Sequence, residues 1–188
     1  TQMASGKWDD INYSHVPSVA AARYQRAFDR HSPERYGEYR AALESGEAGV
    51  KINAGAVYPY DVLKSIRSGD ERVAEQQWLA LKDWIPEGVN FLPIADVSGS
   101  MGCLVAGSTS AMDIAVSLGI YCAQRNTGAF RDRLMTFSAN PNWLDLSGLN
   151  LAQSFETVRH ADWGFNTDIE ATYKLLLNTA RAMNVAQA

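Results

Sequence analysis

The chain has little cysteine. Cys103 and Cys122 are the only two in 188 residues, too few for a disulfide framework. A reduced, intracellular protein is the simplest expectation. Long apolar runs are missing, and none reaches the roughly 18 to 20 residues of a membrane helix, so no bilayer span is expected. No basic-then-apolar leader stands at the start. There is no basic excess either. Lys plus Arg is 17 against 21 Asp plus Glu, a net charge of −4. Such a balance offers no bulk attraction to phosphates. Histidine is scarce: His15, His31 and His160 are scattered and suggest no catalytic base. Internal repeats and low-complexity stretches are lacking too. What remains is ordinary globular material, 46% apolar and 20% charged.

The pattern changes character near residue 88. Residues 1–88 read as helices and connectors, and residues 89–188 alternate strands with helices. The first helix is expected over Pro17 to about Arg30, with Val19, Ala22, Tyr24, Ala27 and Phe28 as its apolar stripe. Ser32 looks like the cap of a second helix, with Pro33 in its first turn and Gly46 past its end. Short helices follow at Tyr60 to Arg67 and Glu71 to Trp84.

Val89 to Ala95 then reads as a buried parallel strand ending at Asp96, although Pro93 is awkward in a central strand. A loop to Thr109 leads to a helix from about Ser110 to Arg125. Ile114, Leu118, Tyr121 and Cys122 form its expected face, and Ser110 with Asp113 its capping pair. Arg133 to Phe137 and Trp143 to Leu146 suggest a hairpin around Asn140-Pro141-Asn142. Leu151 to Arg159 is a short helix. The last helix runs from Asp168 to about Asn184, with Ile169, Tyr173, Leu176, Leu177 and Ala180 on one face. The order predicts the first half of a doubly wound α/β sheet behind an all-helical region.

The chemistry concentrates in Asp96-Val97-Ser98-Gly99-Ser100-Met101, between a strand and a helix. Asp96, Ser98 and Ser100 alternate, so a looping backbone can turn three oxygens to one side. Hydroxyls and a carboxylate are hard donors that suit Mg²⁺, Mn²⁺ or Ca²⁺. One carboxylate leaves most of the ion's charge uncancelled, so the ion would attract an acidic group from outside. The bland reading is a turn, since Asp, Ser and Gly are turn residues. A nucleophile elbow fails, because Ser98 stands where glycine is required two before Ser100. A P-loop fails for want of Gly-Lys-Ser/Thr. Thr167-x-x-Glu170 reads as a capping box for the last helix. The arginines 23, 26, 30, 35 and 40, interleaved with Tyr24, Tyr36 and Tyr39, read as a solvated helix face or as an RNA-contact surface.

The Asp-x-Ser-x-Ser loop resembles the metal-ion-dependent adhesion site of von Willebrand factor A (vWA) domains. Trp163 to Ile169 looks like the second loop of that site, with Phe165 and Asn166 where the family has glycine. The resemblance implies Thr167 as a further ligand and Asp168 as one acting through water. Ile94 to Met101, Leu134 to Ser138 and Trp163 to Ile169 stand in the order of the vWA module of Ro-autoantigen-like (TROVE) proteins. The Trp-Gly-x-Asn-Thr-Asp variant is most similar to an uncharacterised family of phage, plant and fungal proteins. Val16 to Ala20 and Lys51 to Gly55 resemble that family too.

The fold so implied is a partial, Rossmann-like vWA sheet. Its third metal loop would follow the last helix, where Ala188 is the final residue, so another chain or a missing segment would complete the sheet. The expected role is non-enzymatic: an Mg²⁺-dependent interaction module, with Mn²⁺ and Ca²⁺ as alternatives, whose cation takes an acidic group of a protein partner. The alternatives are an RNA-binding ribonucleoprotein scaffold and a phage structural or assembly component. The implied location is cytoplasmic, or that of a phage-encoded intracellular or virion protein.

Overall fold

The computed structural model describes residues 2–55, 57–67, 71–89, 91–127, 129–161 and 168–182. They form two compact units, residues 1–82 and 83–188.

The regular elements among the first unit's described residues are all helices. Two 3-10 turns precede α1 (Ser18–His31), α2 (Pro33–Ser45), α3 (Pro59–Arg67) and α4 (Glu71–Leu79). α1 packs on α2 and α3, and α4 packs on α2 and α3. Pro33 opens α2 at a position where its missing N–H costs nothing. Gly46 closes it in the left-handed conformation, where glycine carries no Cβ penalty. Ser32 does not cap with its side chain; its hydroxyl donates instead to Asp9 Oδ1 at 2.9 Å.

The α1 stripe differs from expectation. Ser18, Gln25 and Phe28 are its buried residues, while Val19 and Tyr24 face solvent. The core is an aromatic cluster of Tyr13, Phe28 and Tyr36 with Ile11 and Val73, flanked by Tyr39. Tyr13 sits 5.0 Å from Tyr36 and 5.2 Å from Phe28, ring centre to ring centre. Such tilted and edge contacts hold aromatic rings beyond their area burial. α4 ends at Leu79 rather than Trp84. Asp83 Oδ1 takes the Ile85 N–H, and the Trp84 N–H goes to the Tyr121 hydroxyl, so these amides leave the helix register.

Tyr39 donates its hydroxyl to the Lys51 carbonyl at 3.0 Å, and burial pushes its phenol up to about 12 from the ordinary 10. The proton therefore stays on longer in the folded state than in the unfolded one. The associated stability is fully present below pH 10 and is lost as pH rises towards 12. Urea unfolding across that window is expected to show a falling stability limb, shallower in Tyr39→Phe.

The second unit is mixed α/β. β1 (Ile94–Asp96) pairs in parallel with β4 (Arg133–Phe137), and β4 pairs antiparallel with β5 (Trp143–Asp145), in the order β1-β4-β5. Among the described residues β4 is the central strand of this sheet. Its Leu134 and Met135 are fully buried, on opposite faces of the pleat. α5 (Ala111–Arg125) lies on β1 and β4 and packs on α6 (Leu151–Arg159). α7 (Ile169–Ala182) follows.

Capping boxes start two of these helices: Ser110 with Asp113 on α5, and Asn150 with Gln153 on α6. α5 buries Met112, Val116, Ile120 and Ala123, whereas Leu118 of the expected face is exposed. α7 buries only Thr172, its Thr179 hydroxyl accepts from the Trp143 Nε1–H of β5 at 2.9 Å, and the stripe Ile169, Tyr173 and Leu177 is exposed.

Among the described residues β1 is an edge strand. Pro93 stands one residue before its start, a place that tolerates proline, and its carbonyl accepts from the Met135 N–H at 3.0 Å. A groove of about 320 Å³ runs along this edge, lined by Phe91, Pro93, Ile94, Leu118 and Cys122 among others. The segment from Asp96 to Thr109 is not a plain loop. It holds a 3-10 turn (Gly99–Gly102) and a hairpin of β2 (Leu104–Ala106) and β3 (Thr109–Ser110). Among the described residues, no helix is long and apolar enough to cross a membrane.

Candidate metal centre

Three of the five predicted ligands sit together at the C-terminal end of β1. Asp96 is the last strand residue and is half-buried. Its Oδ1 accepts the Ser98 N–H at 2.9 Å, an Asx turn that folds the chain back over the carboxylate. The 3-10 turn then tightens the loop, with the Met101 N–H on the Ser98 carbonyl and the Cys103 N–H on the Ser100 carbonyl. This winding brings Ser98 Oγ and Ser100 Oγ to 3.0 Å from each other. Ser98 is buried and Ser100 is exposed, so the oxygen set runs from the protein interior to solvent.

Asp168 comes to the neighbouring strand end. Its N–H donates to the Ser138 carbonyl at 3.4 Å, and Ser138 directly follows Phe137, the register partner of Asp96. Asp168 Oδ1 accepts the Ala171 N–H at 2.8 Å, so this carboxylate caps α7. Thr167 lies outside the described residues.

The donor set fits a hard cation. Two ligand oxygens at right angles on Mg²⁺, each about 2.1 Å from the ion, stand roughly 3 Å apart. The serine hydroxyls stand at that separation as a hydrogen-bonded pair. Among the described residues no three His, Cys, Asp or Glu side chains gather in a group that could hold a metal ion.

Sequence reasoning missed Ser138, whose part is played by its backbone carbonyl and which no side-chain motif announces. It also missed the β2–β3 hairpin. The signal for that was present: Gly107-Ser108 separates Leu104-Val105-Ala106 from Thr109-Ser110, and Gly107 takes φ +55°, as the first central residue of a primed two-residue turn requires. The expected arginine and tyrosine surface is not one face. Tyr36 is in the core and Tyr39 is half-buried. Arg40 pairs with Asp29 at 3.0 Å and lies over the Tyr36 ring.

The molecule is thus a helical unit followed by a mixed α/β unit, with an oxygen-rich loop at its strand ends. Residues 90–188 match the family described as Domain of unknown function (DUF7788), and the chain belongs to that family. Residues 1–87 match a second family, Domain of unknown function (DUF2828). A curated relative, the uncharacterized protein L728 of Acanthamoeba polyphaga mimivirus, is 28% identical over 196 residues. The match covers 95% of this chain and 33% of the viral protein, so the chain spans about a third of that relative's length. No solved structure matches.

Proposed function

We propose that the α/β unit is a vWA-like, divalent-cation-dependent interaction module with no catalytic role. Asp96, Ser98 and Ser100 hold the ion with Thr167, and Asp168 acts through a bound water by the oxygen that does not cap α7. Mg²⁺ is the expected ion, with Mn²⁺ and Ca²⁺ as alternatives. The observation that carries the reading is the 3.0 Å spacing of the two serine hydroxyls beside a strand-end carboxylate. Two neutral hydroxyls and one carboxylate under-compensate a doubly charged ion. The remaining charge favours an acidic side chain from a partner polypeptide.

Isothermal calorimetry with Mg²⁺ and Mn²⁺ tests this. Wild type is expected to show a saturable heat that disappears in Asp96→Ala, with unchanged far-ultraviolet circular dichroism. Identical heats for the two proteins would overturn the reading.

A further inference from the structure

A cleft of about 460 Å³ in the helical unit has no part in the function proposed above. Tyr13 and Tyr39 line it, with ring centres 5.3 Å apart and planes inclined by 37°. Its charged groups are Asp10, Glu38 and Glu47 against Arg35, so carboxylates outnumber the cation. Among the described residues none of these four side chains makes an ion pair.

The walls are fixed in advance. Tyr39 donates its hydroxyl to the Lys51 carbonyl, and the Lys51 N–H goes to Ser14 Oγ at 3.3 Å. Asn53 Nδ2 donates to the carbonyls of Ser14 and Val16, at 3.0 and 2.9 Å. The stretch from Asp10 to Ser14 is thereby tied to the chain beyond α2, and such preorganisation lowers the cost of binding. One polar group of the wall is left over. Tyr13 is 6% exposed, and its hydroxyl is fully buried with no hydrogen-bond partner. A buried hydroxyl in that state costs free energy that a ligand's donor would offset.

We propose that this cleft binds a guanidinium group, as carried by an arginine side chain. The excess of carboxylates selects a cation. The flat guanidinium suits it better than an ammonium, because it lies on tyrosine faces, forks to carboxylates and brings five N–H donors, one of which the Tyr13 hydroxyl can accept. The same unit already holds one such group in this manner. Arg40 lies 5.0 Å over the centre of the Tyr36 ring while it pairs with Asp29 at 3.0 Å. Tyr39 stacks on Tyr36 in the same cluster, and among the described residues no cation lies over its ring.

Nitrogen-15 correlation spectra of the full chain, titrated with N-acetylarginine amide and with its citrulline and lysine analogues, test this. The arginine compound is expected to shift the amide signals of residues 10–14, 38 and 39 saturably. Citrulline has the same shape without the charge, and is expected to bind at least about tenfold more weakly. The double variant E38Q/E47Q should weaken arginine binding about tenfold, the scale of two exposed charge pairs. Both side chains are exposed, and unchanged signals elsewhere confirm that the variant is folded. Arg35→Gln removes a competitor for the carboxylates and should tighten binding about threefold.

Shifts that spread over the surface without saturating overturn the proposal, and so does arginine binding that E38Q/E47Q leaves unchanged. Equal affinity for the lysine compound overturns the choice of a guanidinium. The cation loop lies in the other unit, and none of these variants touches it.

Discussion

Trp78→Ala is expected to cost the helical unit about 3–5 kcal/mol, while Trp84→Ala changes stability by no more than about 0.5 kcal/mol. Only six positions separate the two indoles, and their surroundings differ. Trp78 is 2% exposed on α4 and is the largest fully buried side chain among the described residues. Truncation there removes most of an aromatic's buried area and leaves a cavity between α4 and the helices it packs on, which backbone relaxation fills only in part. Trp84 lies beyond the helix, is 71% exposed, and engages Tyr121 through its backbone N–H, which alanine retains. Urea unfolding followed by circular dichroism checks both. Equal losses in the two variants would contradict the assignment of Trp78 to the core.

Gly119→Val is expected to cost about 3 kcal/mol by wedging α5 off the sheet. A Cβ at this position meets Leu134 Cδ1 at 3.1 Å and the Ala95 Cβ at 3.4 Å. Valine in a helix is confined to essentially one rotamer, so its methyls cannot swing clear. Alanine adds only the Cβ and gains about 1 kcal/mol of helix propensity, which offsets part of the crowding. Leu134→Ala alone is expected to cost about 2–5 kcal/mol, since Leu134 is fully buried in the central strand. Combined with Gly119→Val, it opens the space the valine needs. The double variant should therefore be more stable than the sum of the two losses by at least about 1 kcal/mol. Strict additivity would show that the helix and strand do not meet at this point.

Local signals with a single cause were legible in the sequence. Pro33 and Gly46 bound α2, the Ser110–Asp113 pair starts α5, and the run Arg133 to Phe137 is β4. Misreadings arose where tertiary structure chose among equal options. α5 is apolar on more than one side, so spacing could not say that Val116 and Ile120 would turn inward while Leu118 stayed out. α1 offered an apolar stripe, yet the packing buries Gln25 and exposes Val19. α4 ends at Leu79, and Trp84, which the spacing put in its last turn, gives its N–H to the Tyr121 hydroxyl 37 residues away in the chain.

The candidate site divides in the same way. Alternation of Asp96, Ser98 and Ser100 follows from residue types alone. The turn that draws the two hydroxyls together, and the Ser138 carbonyl that holds Asp168, are backbone events and leave no mark in composition.

Ser110 belongs at once to the last position of β3 and to the cap of α5. The mechanical consequence is a bracket rather than a flap. A load applied at the hairpin tip passes through Ser110 into the first turn of a helix packed against two strands, and through Cys103 into the serine loop that the Ser100 carbonyl ties to it.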